Sequence, residues 1–209
     1  MSSKRIGVLI SGSGTNLQAI IDNINSGNIN GEIKLIVSNR KDAYGLERGK
    51  LAGIENMYLP RKEFSTDQEY DERLIYEFRQ RNIDLIVLAG YLRILSKSFI
   101  EAFNNRIINI HPSLIPSFCG KNYYGTKVHE GVLKYGVKYP GATVHFVDEG
   151  TDTGPIILQD VVKVDNDDTV EELQKKVLKI EHKIFVEAIS LFCDDKLSLK
   201  DRIVRINRE

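Results

Sequence analysis

The chain has 209 residues, 42% hydrophobic and 28% charged, the usage of an ordinary globular protein and not of a disordered one. Its 29 Lys+Arg balance 29 Asp+Glu, which excludes a broad cationic face for gripping a polyanion such as DNA and leaves room for a small pocket that takes one phosphate. At roughly 150 residues per domain, one domain over residues 1–209 is expected, large enough to bury a core without disulfide staples. Cys119 and Cys193 fit a reducing compartment and form no metal-ligand spacing. Lys4 and Arg5 precede an apolar stretch, residues 6–10, that is too short for a signal-peptide core. The longest apolar run elsewhere, residues 85–92, falls far short of the roughly 20 residues of a membrane span. A soluble, cytoplasmic protein is expected.

Short runs rich in Val, Ile and Leu predict strands over residues 5–10, 33–37, 56–59, 84–89 and 106–110. Amphipathic stretches separate them; over residues 67–81, Tyr70, Leu74, Ile75 and Phe78 fall on one face. Continuous apolar strands alternating with helices predict an α/β fold, a doubly wound, mostly parallel sheet covered on both sides. After residue 140 the pattern changes. Runs over residues 142–147 and 156–164 are joined by Glu149-Gly150-Thr151-Asp152-Thr153-Gly154-Pro155, which leaves no room for a crossover helix. This pair is therefore expected to be antiparallel and to extend one edge of the sheet. Thr169-Val170-Glu171-Glu172 then reads as a capping box opening a long helix, with Leu173, Val177, Ile180, Ile184 and Ala188 at helical spacing.

The first strand runs into Ser11-Gly12-Ser13-Gly14-Thr15-Asn16-Leu17. Glycines allow a tight turn that brings backbone N–H groups against an anion at the start of the next helix. A dinucleotide fingerprint would need Gly where Leu17 stands, and an acid closing the second strand where Ser38-Asn39-Arg40 stands. A P-loop would need Gly-Lys-Ser/Thr, which is absent. Two readings remain: a plain strand-to-helix turn capped by Thr15 or Asn16, and a single-phosphate cradle made by Gly14, Thr15 and Asn16.

The fifth strand runs into Asn109-Ile110-His111-Pro112. Alternate strand residues share a face, so Asn109 and His111 project the same way at the carboxyl end of a parallel strand, where open α/β sheets bind ligands. A histidine at a strand end is more often structural than catalytic; an amide two residues before it turns the pair into candidates for stabilising an oxyanion. An imidazole in that role gains from a carboxylate that orients it. The best candidate is Asp152, whose competing reading is a turn acid bonding its own backbone. His145 alternates with apolar residues and is expected as a partly buried strand histidine; His129 and His182, on predicted helices, are expected at the surface or an interface. No two histidines have metal-ligand spacing, so no metal site is expected. Ser113 lacks the nucleophile-elbow context of a serine hydrolase.

Four segments in this order carry a resemblance: the loop from Ser11 to Ile20; Leu88-Ala89-Gly90-Tyr91-Leu92-Arg93-Ile94-Leu95-Ser96; Asn109-Ile110-His111-Pro112-Ser113-Leu114; and the turn from Val147 to Ile156. Together they strongly resemble the phosphoribosylglycinamide formyltransferase family of folate-dependent enzymes, over about residues 5–193. The resemblance implies a Rossmann-like formyltransferase fold, its N-terminal half binding phosphate and nucleotide, its C-terminal half folate-binding and catalytic. It implies transfer of formyl from 10-formyltetrahydrofolate, a co-substrate, to the amine of glycinamide ribonucleotide, without a metal. Gly14, Thr15 and Asn16 would hold the phosphate and Glu181 would contact the glycinamide end. Leu92, Arg93, Ile94 and Leu95, with Asn109 and with Glu149, Gly150, Thr151 and Asp152, would form the folate pocket. Asn109, His111 and Asp152 would be the catalytic set. Partners would be these small molecules, with neither nucleic acid nor membrane, in a monomer or homodimer.

Two departures from the family pattern stand out. Relatives often place Arg where this chain has Asp67, so either Arg61 or Lys62 substitutes or that ligand contact is missing. Within residues 117–125, Cys119 stands where Pro is frequent. The rival readings are a 10-formyltetrahydrofolate deformylase, a methionyl-tRNA formyltransferase and a non-catalytic folate- or nucleotide-binding protein. The N-terminal regulatory domain of the first and the C-terminal RNA-binding domain of the second are not expected in a chain of this length. Intact Asn109, His111 and Asp152 weigh against the third.

Overall fold

The computed structural model describes residues 3–207. Its seven-stranded sheet contains β1 (Lys4–Ile10), β2 (Gly31–Ser38), β3 (Asn56–Tyr58), β4 (Leu85–Leu88), β5 (Ile107–His111), β6 (Gly141–Phe146) and β7 (Ile156–Val161). They lie in the order β3-β2-β1-β4-β5-β6-β7. The pairs from β3 to β5 are parallel, while β6 runs antiparallel to β5 and β7 to β6. The fold is the doubly wound α/β sheet with an antiparallel edge pair that the sequence predicts. Its helices are α1 (Thr15–Asn25), α2 (Tyr44–Leu51), α3 (Asp67–Gln80), α4 (Lys97–Ala102), α5 (Thr126–Tyr135) and α6 (Val170–Cys193). A hairpin of β8 (Leu197–Lys200) and β9 (Ile203–Ile206), absent from the sequence reading, follows α6.

The central strands are apolar on both faces because each face is covered. On β1, Ile6, Val8 and Ile10 join Leu17 and Ile20 of α1 and Leu173, Val177 and Ile184 of α6 in one core layer. Leu9 enters the opposite layer with Leu35, Val37 and the Tyr70, Leu74 and Phe78 of α3. Gly7 faces that second layer, where a Cβ would fall 2.7 Å from the Phe78 ring; only a residue without a side chain leaves room for the ring there. The capping box of α6 is formed: Thr169 Oγ1 accepts from Glu172 N–H, and the Glu172 carboxylate accepts from Thr169 N–H at 2.8 Å.

The strand expected over residues 156–164 stops at Val161. Val162 and Val164 still donate to the Pro140 and Lys138 carbonyls at 2.8 and 2.9 Å, but Pro140 has no N–H to return the bond and the ladder ends. Strand order reverses between β1 and β4, so the loops leaving those two strands flank the crevice where sheets of this kind bind ligands.

Candidate active site

The loops at the switch point are tied together. Ser11 N–H donates to the Gly90 carbonyl at 3.1 Å, and Ser11 Oγ accepts from Leu92 N–H at 2.9 Å while donating to Asn39 Oδ1 at 2.6 Å. One buried hydroxyl thereby couples the ends of β1, β2 and β4.

Beyond Ser11 the chain turns into α1 through Gly14, the N-cap residue, at φ +71°. A Cβ on Gly14 would stand 2.6 Å from the Gly45 Cα of α2, so glycine is required twice, by conformation and by contact. No side chain caps this helix, which removes the reading of a turn capped by Thr15 or Asn16. The first helical N–H with an intrahelical acceptor is that of Gln18, donating to the Gly14 carbonyl at 2.9 Å; the amides of Thr15, Asn16 and Leu17 precede it, at the positive end of the helix dipole. Asn16 is only 9% exposed; its Nδ2 donates to Glu181 Oε2 at 3.0 Å, and its Oδ1 has no partner among the described residues. Burial holds the Glu181 carboxyl above the usual carboxylate range. An orphaned acceptor beside a buried acid is a place that wants hydrogen-bond donors.

The second half of the site lies across β5 and β6. Asn109 and His111 do share a face. His111 Nδ1 stands 3.5 Å from Asp152 Oδ2, and its Nε2–H donates to the Phe118 carbonyl at 3.0 Å. Asp152 Oδ2 also accepts from Gly120 N–H at 2.9 Å. Residues 117–125, whose shape the sequence left open, thus supply one backbone group to the imidazole and one to the carboxylate. Ser113 spends its hydroxyl on the Ser117 carbonyl at 2.6 Å, a structural bond.

Asp152 sits at φ +58° in the turn between β6 and β7, a conformation Asp tolerates better than most residues. The turn is wound tightly: a Cβ on Gly154 would fall 1.7 Å from the Phe146 carbonyl oxygen. The turn-bonding acid is Asp148, whose Oδ1 accepts from Gly150 N–H at 3.1 Å and from Thr153 Oγ1 at 2.5 Å. From outside, Arg202 in the β8–β9 turn donates to the Thr153 carbonyl. Asp152 is therefore left free of its own turn and faces His111.

His145, expected as a partly buried strand histidine, is fully buried and bonded into the site. It lies opposite Asn109 in the β5–β6 register, its Nε2 accepts from Asn109 Nδ2 at 3.1 Å, and that nitrogen is 3.8 Å from Asp152 Oδ1. Burial lowers its pKa below the usual histidine value. The surface placement of His129 is corrected: it is 2% exposed on the inward face of α5 with Val128 and Val132. The amphipathic stripe of that helix includes the imidazole, and burial lowers its pKa. His182 is half-buried beside Glu181 on α6.

Of the remaining predicted residues, Leu92 and Ile94 are exposed on the loop after β4 and Leu95 is buried. Glu149, Gly150 and Thr151 are exposed on the turn that carries Asp152. Arg61, one of the two residues expected to make good the missing arginine, is paired with Asp67. The Asp67 carboxylate is bonded by Arg61 Nε at 2.5 Å and by Arg93 Nη2. Among the described residues no three His, Cys, Asp or Glu side chains stand placed to hold a metal ion, and no helix is long and apolar enough to cross a membrane.

What the fold and site define is a doubly wound α/β enzyme that gathers an amide, an imidazole and a carboxylate at the carboxyl edge of its sheet, a set suited to stabilising a negative oxygen. The formyl transferase family matches residues 4–189, and the chain belongs to that family. It is 41% identical over 204 residues to phosphoribosylglycinamide formyltransferase of Haemophilus influenzae, covering 98% of this chain and 94% of that one. The crystal structure of glycinamide ribonucleotide transformylase 1 from Symbiobacterium toebii matches with a TM-score of 0.93 at 45% identity, over 98% of this chain and 94% of that one. A formyltetrahydrofolate deformylase from Pseudomonas syringae pv. tomato is more distant, with a TM-score of 0.88 at 25% identity over 98% of this chain and 66% of that one.

Proposed function

We propose that the protein transfers the formyl group of 10-formyltetrahydrofolate to the amine of glycinamide ribonucleotide, a step of purine synthesis. The observation that carries this reading is that Asn109, His111 and Asp152 share the sheet edge with an uncapped α1 start, whose Asn16 is buried beside Glu181 of α6. A phosphate suits the amides of Gly14, Thr15 and Asn16 and the helix dipole. The amine-bearing end of the nucleotide suits the Asn16 Oδ1, an acceptor without a donor among the described residues, and the Glu181 carboxyl beside it. A hydrolase acting on the folate alone would have no use for that half of the site. The folate would lie against Leu92, Arg93, Ile94 and Leu95, with Asn109 and the turn Glu149, Gly150, Thr151 and Asp152 as its other wall.

The amine attacks the formyl carbon; the new C–N bond forms as the carbonyl π pair moves onto oxygen. Asn109 donates to that oxygen through the Nδ2–H not used by His145. Protonated His111 adds its charge and its Nδ1–H, which at 3.5 Å from Asp152 is ion-paired without being tightly bonded. The intermediate collapses by breaking the bond to N10 of the folate, which takes up the proton the amine has lost, relayed by water. Oxyanion stabilisation is assigned to side chains and proton transfer to water, and the scheme asks for no metal. A cytoplasmic setting belongs to the same reading, supported by free thiols at Cys119 and Cys193.

Incubation with 10-formyltetrahydrofolate, with and without glycinamide ribonucleotide, tests the reading. Tetrahydrofolate released only with the nucleotide is the expected result; release without it identifies a deformylase, and no release a binding protein. His111→Ala or Asp152→Ala is expected to fold normally and lose at least about 100- to 1000-fold in kcat. Near-wild-type turnover by the His111 variant would overturn the mechanism.

A further inference from the structure

Arg48, in the second turn of α2, is a cation that the chemistry above does not use. Its Nε donates to the Ser13 carbonyl at 2.9 Å, its Nη1 donates to Gln18 Oε1 at 3.0 Å, and its guanidinium carbon lies 5.0 Å from the centre of the Tyr44 ring. Among the described residues it has no carboxylate within ion-pair distance, and its Nη2 has no acceptor. The other end of the same α2 turn is joined to the same loop. Gly45 N–H donates to the Gly12 carbonyl at 3.1 Å, a Cβ on Gly14 would meet the Gly45 Cα at 2.6 Å, and one on Gly45 would meet Ile10 Cδ1 at 2.5 Å. Neither α1 nor α2 has a side-chain cap. Two helix starts and one unpaired guanidinium therefore meet at a single loop.

A phosphate monoester carries about −1.5 to −2 charge at neutral pH, while the amides of Thr15, Asn16 and Leu17 and the Asn16 side chain are neutral. The Ser13 carbonyl, one residue before Gly14, is a dipole that would repel such an anion if left unpaired. Arg48 answers both needs, since its Nε occupies that carbonyl and its Nη2 edge keeps two N–H groups uncommitted. We propose that Arg48 is the cation of the phosphate subsite, holding back the Ser13 carbonyl and selecting a phosphorylated over an unphosphorylated substrate. The proposal rests on the assignment of the substrate phosphate to Gly14, Thr15 and Asn16.

Calorimetric binding of glycinamide ribonucleotide and of its phosphate-free riboside to the wild type, Arg48→Gln and Arg48→Lys tests it. Folding is checked by circular dichroism. Arg48→Gln is expected to weaken nucleotide binding about 10- to 100-fold, leaving riboside binding and the KM for 10-formyltetrahydrofolate within about twofold. Arg48→Lys, a point charge without the fork, should fall between. Unchanged nucleotide affinity in a folded Arg48→Gln protein overturns the role of Arg48. So does equal weakening of nucleotide and riboside, which would make the residue a structural strut. A wild type that binds both ligands equally overturns the phosphate assignment itself, and Arg48 with it.

Discussion

Replacing His145 by Phe asks whether the orientation of the Asn109 amide matters for turnover. A carbonyl only accepts, so the 2.8 Å contact between His145 Nδ1 and the Phe146 oxygen puts the ring proton on Nδ1. Burial lowers the pKa of this imidazole, so at pH 7 the ring is neutral and Nε2 presents a lone pair. The Asn109 nitrogen supplies its donor at 3.1 Å, which fixes the amide with one N–H on His145 and the other free for a ligand oxygen. His145→Phe keeps the bulk and deletes both bonds. Leaving the Phe146 carbonyl and the Asn109 N–H without partners is expected to cost about 1–3 kcal/mol, or about 2–4 °C in Tm per kcal/mol for a chain of this size. Loss of one aligned oxyanion donor costs at most about 100- to 1000-fold; a fall in kcat inside that bound is expected, with little change in either KM. His145→Gln, whose Oε1 accepts, should recover part of kcat. Stability gives an independent reading of the sign. A histidine with a depressed folded pKa contributes stability that is present above about pH 6.5, the unfolded value, and lost as pH falls through the lower folded value. The wild type should therefore lose more Tm than His145→Phe between pH 7 and pH 5. Wild-type kcat together with an unchanged acid melt in His145→Phe would refute the assigned role.

The buried Glu181 gives the opposite pH sign. Its raised pKa contributes stability present below about pH 4.5 and lost as pH rises through the folded value. Glu181→Gln keeps Oε1 for Asn16 and should raise Tm at pH 8 and not at pH 4. It should also raise the KM for glycinamide ribonucleotide, and an unaltered melt at pH 8 would count against a charge-burial cost. Asp67→Asn should release Arg61 and Arg93 toward the carboxylates of the folate. The KM for 10-formyltetrahydrofolate is then expected to fall about two- to fivefold at unchanged kcat; no change in that KM would show that neither arginine reaches the ligand.

Periodicity made most of the fold legible. The strands of the sheet centre are apolar on both faces, and Tyr70, Leu74 and Phe78 or Leu173, Val177 and Ile184 recur at the spacing that buries one helix stripe. The β8–β9 hairpin escaped because its alternation buries little: its strands are only half-buried on one side and exposed on the other. His145 escaped for a different reason. A histidine between valine and phenylalanine in a strand looks like core, and only the β5–β6 register sets it beside Asn109. His129 lies buried between Val128 and Val132 on α5, and a polar residue inside an apolar helix stripe carries no signal of its burial in the sequence.

Asp152 shows where sequence reasoning meets its physical limit. Two aspartates, Asp148 and Asp152, lie either side of Gly150 in the same turn, and composition cannot say which bonds the turn and which serves a ligand. Asp148 takes the local N–H and hydroxyl, and that leaves the Asp152 carboxylate to be claimed from a distance by Gly120 N–H and His111. Both the Gly120 amide and the Phe118 carbonyl that bonds His111 are main-chain groups; every residue carries the carbonyl and every residue but proline the N–H, so neither leaves a side-chain signature. Between them Cys119 contributes a thiol that donates to the Pro116 carbonyl at 3.3 Å, and neither main-chain bond to His111 or Asp152 uses its N–H. A position whose N–H takes no part in holding the site can be filled by cysteine or by an imino acid, so the departure at Cys119 leaves the support of His111 and Asp152 intact.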